Sequence, residues 1–407
     1  MLANFIHLSL NQGINLLVAL IITPYLFQTL GESQYGLVTL GLTVTLFFGI
    51  LVNYGFNLNG PKELALIKQD RAAKQAYINE VVTTRLLLGL CLAGITLLLI
   101  SLGAFQEYPT ILALSTIVLI NEAIYPMFIL QGFDRLQWIS KGNAVSKLIY
   151  LATIILVVKG VGDAKWVNFL FGGSSLLVNV VLLVFVYKVE RIGFRISPIK
   201  RVFHRLVDNF QFLSSTFAAY ILVNGGFMML NSFVSSSEYG FYTLAHRISL
   251  LLRMIPVFLT QAMLQNATRM HKENSEQYES YLKKSYKNGI LITFLLGLVI
   301  ALGATWIVRF LAGDYNAYAA NQMRLLCFLP FLGMLNLHNM VRILVEDRKY
   351  ILSKAMWIST IVMLILALIG CYFYGGYGLA VALMFVEVFN FWVHHYLLSI
   401  DTRTSAT

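Results

Sequence analysis

At 407 residues, the chain is 58% hydrophobic and only 12% charged, about half the charged share of an ordinary soluble domain. Apolar runs of about 20 residues recur along its whole length, which excludes a water-soluble enzyme or adaptor and leaves no room for a separate soluble domain. A formal net charge of +11 would suit nucleic acid, but the cations cluster between apolar runs and so report membrane topology, not a nucleic-acid partner.

The first apolar run, Phe5 to Leu30, is longer than a signal peptide. It lacks a basic leading region and a small-residue cleavage site, so it is expected to stay as the first span. Twelve spans are expected, at roughly 5–30, 37–59, 82–104, 110–132, 143–160, 165–187, 210–233, 239–262, 288–312, 319–343, 350–374 and 377–399. The odd-numbered loops are short, such as "LGESQ", "FQEYP" and "YGGY". The even-numbered loops are longer and basic: Lys62, Lys68, Arg71 and Lys74; Arg135 and Lys141; Lys188, Arg191, Arg195, Lys200, Arg201 and Arg205; Arg269, Lys272, Lys283 and Lys284; Arg348 and Lys349. Basic loops stay in the cytoplasm, which puts both termini there. In the central loop, Ile199, Val202, Phe203, Leu206 and Val207 recur at helical spacing opposite Lys200, Arg201 and Arg205. This predicts an amphipathic helix on the cytoplasmic leaflet, in contact with membrane lipids and tethering two halves. The three cysteines, Cys91, Cys327 and Cys371, lie in apolar runs without metal or disulfide spacing.

The halves repeat. "SQYGLVTL" (Ser33–Leu40) aligns with "SEYGFYTL" (Ser237–Leu244) at an offset of 204, and "NFIHLS" (Asn4–Ser9) with "NFQFLS" (Asn209–Ser214) at 205. Six spans per half is an even number, so the repeats insert the same way up. The expected architecture is an all-α membrane protein of about twelve transmembrane helices in two parallel six-helix repeats around a central cavity. Its parts are an N-terminal bundle over 1–187, a basic linker over 188–208 and a C-terminal bundle over 209–407. The glycines of the repeated Tyr-Gly pair, Tyr35–Gly36 and Tyr239–Gly240, are expected to make the turn into the following helix.

The eighth run, "YTLAHRISLLLRMIPVF", carries Arg247 and Arg253. An arginine at mid-membrane costs about 3 kcal/mol on insertion scales, so these cations need a wet surface, an anion or an acid partner. Glu122 in the fourth span and Glu387 in the twelfth are the mid-membrane acids available for structural pairing or for ion coupling. Six residues of helix turn the two arginine side chains about 120° apart. At the repeat offset they fall on Thr43 and Gly49, so neither cation belongs to the shared scaffold.

Three motifs carry a resemblance: "YGFNLNGPKELALIKQD" (Tyr54–Asp70), "YPMFILQGFDRLQWISKGNAVSKLI" (Tyr125–Ile149) and "YGFYTLAHRISLLLRMIP" (Tyr239–Pro256). Together with the length, the span count and the repeat, they resemble the Wzx-type flippases of O-antigen and related polysaccharide repeat units. Those proteins form the polysaccharide branch of the multidrug/oligosaccharidyl-lipid/polysaccharide exporter superfamily. The resemblance implies a cargo of undecaprenyl-diphosphate-linked oligosaccharide, moved from the inner to the outer leaflet of the bacterial cytoplasmic membrane by alternating access, for surface polysaccharide synthesis. It implies no cofactor, leaves a coupling ion open (proton or sodium), and allows contact with other polysaccharide-assembly proteins. On that reading Arg247 and Arg253 line the cavity and meet the diphosphate through planar bidentate donors. Lys147, Arg85, Gln131, Asn57, Asn11 and Asn15 are further cavity candidates; Arg85 and Lys147 could instead snorkel to the cytoplasmic face, and Asn11 and Asn15 could join helices.

Other classes fit less well. A membrane glycan polymerase or glycosyltransferase needs a substantial external loop, and here none exceeds about ten residues; no nucleophile elbow, phosphate loop or metal spacing is present. The chain is therefore not expected to be an enzyme. A cation-coupled multidrug exporter of the same superfamily would favour cavity acids over arginines. A scaffold for glycan-assembly enzymes is a third reading.

Overall fold

The computed structural model describes residues 2–67, 69–273, 275–346 and 348–404, with side chains except those of 2–12, 16, 261, 262, 265, 272, 275, 349 and 402–404. The chain forms two compact units, 1–217 and 218–407. Helices make up both, and no strand occurs among the described residues. Apolar side chains cover the outer surface as well as the core, as in Leu90, Leu98, Val181, Leu302 and Trp306, each more than half exposed. That is the surface of a protein solvated by lipid.

The first unit begins with α1 (Leu2–Asn53) and α2 (Phe56–Leu66), followed by α3 (Arg71–Ser101). Asp70 caps α3, accepting from the amides of Ala72 and Ala73 at 2.9 and 3.0 Å. Three short helices come next: α4 (Pro109–Ser115), α5 (Ile117–Ile124) and α6 (Met127–Gly132). Two long ones, α7 (Leu136–Val157) and α8 (Ala164–Val189), complete the bundle. Then α9 (Ile199–Leu230) carries the chain into the second unit. That unit holds α10 (Ser236–Glu273), α11 (Ser275–Ala312), α12 (Ala317–Leu326), α13 (Leu329–Met334), α14 (Leu337–Val345) and α15 (Lys349–Thr404).

Ten stretches are long and apolar enough to cross a membrane, fewer than the twelve read from hydropathy, because two stretches each merge two helices. α1 has 52 residues and α15 has 56, and each is kinked at a glycine: Gly31 (φ 75°) and Gly375 (φ 54°). Positive φ is open to glycine at little cost, so a near-reversal fits there without strain. At 1.5 Å per residue the two arms of either one together contain about 80 Å of helix, more than twice the hydrocarbon core of about 30 Å.

Gly31, and not Gly36, therefore makes the first turn. Gly36 and Gly240 both lie inside helices, so the expected turn role of the Tyr-Gly pairs does not hold. The conserved spacing between the halves serves packing instead. Tyr239 is fully buried, stacks on Phe227 with ring centroids 4.9 Å apart, and donates its hydroxyl to the Phe227 carbonyl at 3.2 Å.

The segment after α8 is not a loose tether. One face of α3 presents Arg71, Gln75, Asn79 and Thr83, four residues apart, and each holds its backbone. Arg71 donates to the Arg191 carbonyl, Gln75 accepts from Gly193 N, Asn79 donates to Gly193 O at 2.8 Å, and Thr83 accepts from Ser197 N. Residues 199–208, read from sequence as a membrane-surface helix, are the first turns of α9. Arg201 and Arg205 there both reach the buried Glu80 carboxylate of α3, at 3.2 and 2.8 Å, and the Arg205 guanidinium lies over the Tyr77 ring at 4.7 Å.

Candidate functional site

Each unit contains a deep arginine–glutamate pair, and the two are built differently. In the first unit the break between α5 and α6 comes first. Pro126 has no N–H, and Tyr125 is extended (ψ 111°), so inside a membrane span the Tyr125 carbonyl loses its helical donor and the Glu122 carbonyl keeps only a long bond, 3.4 Å from Tyr125 N. Arg85 of α3 satisfies them. Its Nη1 donates to the Tyr125 carbonyl at 3.0 Å, and its Nη2 to both the carbonyl and the carboxylate of Glu122. Asn53 at the end of α1 donates to the same carboxylate at 2.8 Å, and the Phe128 ring lies 5.8 Å from the guanidinium.

Arg85 is 0% exposed. It does not snorkel, and it offers no face to a ligand, so its reading as a cavity residue is corrected: it braces a broken helix. Glu122 is neutralised within the same network. The sequence did not single out Asn53, whose helix-terminal amide is an ordinary feature until α5 is placed beside it.

In the second unit, Arg253 of α10 pairs with Glu387 of α15. The pair is sparser. Both side chains keep some exposure, 18% and 15%, and Arg253 Nη1 is buried without a hydrogen-bond partner.

Arg247 lies six residues before Arg253 on the same helix and points elsewhere. It is half-buried, its Nε is buried with no hydrogen-bond partner, and it has no ion pair among the described residues. Beside it, His246 is buried, and its ring stacks on Phe227 at 4.9 Å, continuing the row made by Tyr239 and Tyr242. The sequence signal for that row was present, since 239, 242 and 246 share a helix face. Arg247 follows this aromatic row in the chain, and its charge has no acid partner among the described residues. Chemically, such a group can receive an anion through fork-shaped donors.

The remaining candidates scatter. Lys147 of α7 is half-buried, with its ammonium 4.1 Å from the Phe171 ring centroid. Asn15 accepts from Asn143 Nδ2 at 3.1 Å, joining α1 to α7. Asn57 in α2 donates its backbone amide to Asn53 Oδ1 at 3.3 Å, and its own Oδ1 is buried without a partner. Gln131 at the end of α6 is exposed. The side chain of Asn11 lies outside the described residues. No group of three or more metal-ligating side chains occurs among the described residues.

A helical chain with kinked long helices, an apolar outer surface and cations held deep among its helices has the fold of solved membrane transporters. It aligns with a multidrug resistance MATE family transporter of the MOP superfamily, in the inward-facing conformation, over 99% of this chain and 98% of that one, with TM-score 0.70 and 17% identity. It aligns with the lipid II flippase MurJ, in the inward closed conformation, over 98% of this chain and 88% of that one, with TM-score 0.71 and 15% identity. Within that fold the sequence is more specific: residues 1–265 match the model of the polysaccharide biosynthesis protein family, and the chain belongs to it. A relative from Escherichia coli (strain K12), "Putative O-antigen transporter", is 24% identical over 366 residues, covering 89% of this chain and 88% of its own length.

Proposed function

We propose that the chain is a transporter of surface-polysaccharide building blocks and not an enzyme. Its cargo is an oligosaccharide repeat unit on undecaprenyl diphosphate, and it moves the head group from the inner to the outer leaflet of the bacterial cytoplasmic membrane. The two arms each of α1 and α15 cross separately, giving twelve crossings in two parallel repeats. Both termini are cytoplasmic, as the basic loops require. The halves expose a cavity alternately to each side.

The observation that carries this reading is Arg247. Two deep arginines, Arg85 and Arg253, are neutralised by Glu122 and Glu387, while Arg247 has no acid among the described residues. A half-buried cation without an acid partner is costly within a membrane span, and an anionic head group that visits it offsets that cost during transport. The family match and the name of the Escherichia coli relative support the polysaccharide cargo over a drug.

Deleting the gene from a host without a redundant flippase tests the proposal. Surface glycan should vanish, and lipid-linked repeat units should accumulate where only a cytoplasmic enzyme or probe can reach them. Normal surface glycan in that strain would end it.

A further inference from the structure

The first unit carries a second feature that its transport role does not use. Val82 and Leu86 of α3, Leu183 and Tyr187 of α8, and Phe194 of the following segment wall a mostly apolar cavity of about 460 Å³. Lys188, in the last turn of α8, is its charged lining residue. Its lining thus joins the apolar helix faces to the basic end of a span, where hydrocarbon gives way to head groups.

Arg191 and Arg195 flank the lining residues Ile192 and Phe194 in the chain. Lys188, Arg191 and Arg195 are all exposed, and none forms an ion pair among the described residues. The nearby acid, Glu190, is already engaged by Lys74 at 2.7 Å and Arg135 at 3.0 Å. The wall is fixed, because Arg71, Gln75, Asn79 and Thr83 hold the segment that carries Ile192 and Phe194. Phe194 and Ile196 alternate with Arg195 and are 53% and 77% exposed, which suits burial in an interface of acyl chains and phosphates.

We propose that this groove is a binding site for an anionic phospholipid of the surrounding leaflet, with one acyl chain in the cavity and the phosphate head group against Lys188 and Arg195. Basic pockets at the ends of membrane helices take such lipids because the chain and the phosphate are recognised at the same place. The site holds a resident lipid on the first unit and is separate from Arg247.

The test uses the full-length protein purified in mild detergent, with phosphatidylglycerol or phosphatidylcholine of identical chains added, and counts bound lipids by native mass spectrometry. The wild type should retain one phosphatidylglycerol that phosphatidylcholine does not replace. Each cation contributes about fivefold preference for an anionic head group, so Lys188→Ala with Arg195→Ala should weaken that lipid by about 25-fold and leave phosphatidylcholine unchanged. Leu183→Trp, which fills the cavity, should reduce retention of both lipids without changing either cation. Equal retention of the two lipids by the wild type, or undiminished phosphatidylglycerol in the double variant, would overturn the proposal. So would undiminished binding in Leu183→Trp.

Discussion

The two units place an arginine and a glutamate deep among their helices, yet they do so with unrelated residues. In the first, the guanidinium comes from α3 and meets a carboxylate and two backbone carbonyls through its two Nη atoms, with Nε unbonded and an asparagine on the far side of the acid. In the second, it comes from α10, meets one carboxylate, and leaves Nη1 unbonded. The repeat offset puts Arg253 on Gly49, whose missing Cβ would stand 3.9 Å from the Glu122 side chain. The same scaffold position therefore faces an acid in both halves, and only the second half has put the cation there. The first pair repairs a helix break, and its fully buried guanidinium presents no face to a ligand. A sparse pair beside an uncompensated Arg247 keeps charge and donors in reserve. The first is architecture, and the second is where a moving anion is expected to act.

Breaking the first pair should have the largest effect. Arg85→Ala strands Glu122 and two backbone carbonyls at once and should cost about 3–5 kcal/mol, read as a loss of folded protein in the membrane and a lower melting temperature in detergent. Adding Glu122→Gln should recover part of the loss. Unchanged abundance in Arg85→Ala would remove the distinction between the pairs. Arg253→Ala should cost less, about 1–3 kcal/mol, because it strands one carboxylate and no backbone carbonyl; Glu387→Gln should again compensate. A melting shift as large as that of Arg85→Ala would mean that both pairs are struts.

The smallest effect on stability, and the most informative, belongs to Arg247. Arg247→Ala should leave abundance and melting temperature within about 0.5 kcal/mol of wild type, while surface glycan falls about tenfold, the scale of a lost charge-assisted bond worth about 1.5 kcal/mol. Arg247→Lys should retain an intermediate level, since it keeps the charge without the fork. Abundance and glycan falling together would turn Arg247 into a structural residue.

Much of this was legible in the sequence because the spans announce themselves by length and apolarity, and because the "YG…TL" repeat survives in both halves. The divergence of Arg247 and Arg253 was legible too: six residues of helix separate their directions by about 120°, and only Arg253 turns toward Glu387. What was hidden depends on neighbours that hydropathy does not specify. Arg85 looked like a residue near the membrane surface because its burial comes from the α5–α6 break, which becomes evident only when Tyr125 and Pro126 are seen to free carbonyls beside it. The turn residue was misplaced for a similar reason. Gly31 and Gly36 are both glycines near a span boundary, and composition cannot say which takes positive φ. The segment 190–198 read as a tether because its polar anchors, Gln75, Asn79 and Thr83, sit in α3, more than 100 residues away.

The separation in sequence between the members of each pair has a consequence for biogenesis. Arg85 and Glu122 are 37 residues apart, and Arg253 and Glu387 are 134 apart. At translation rates of 5–20 residues per second, the first arginine waits about 2–7 s for its acid to be synthesised and the second about 7–27 s. The first unit can complete its ion pair while most of the second is still unmade. The second must carry an unmatched guanidinium through the insertion of four further helical segments, until the last arm of α15 leaves the ribosome. A nonsense mutation at any codon from 254 to 387 would leave that guanidinium permanently without its acid.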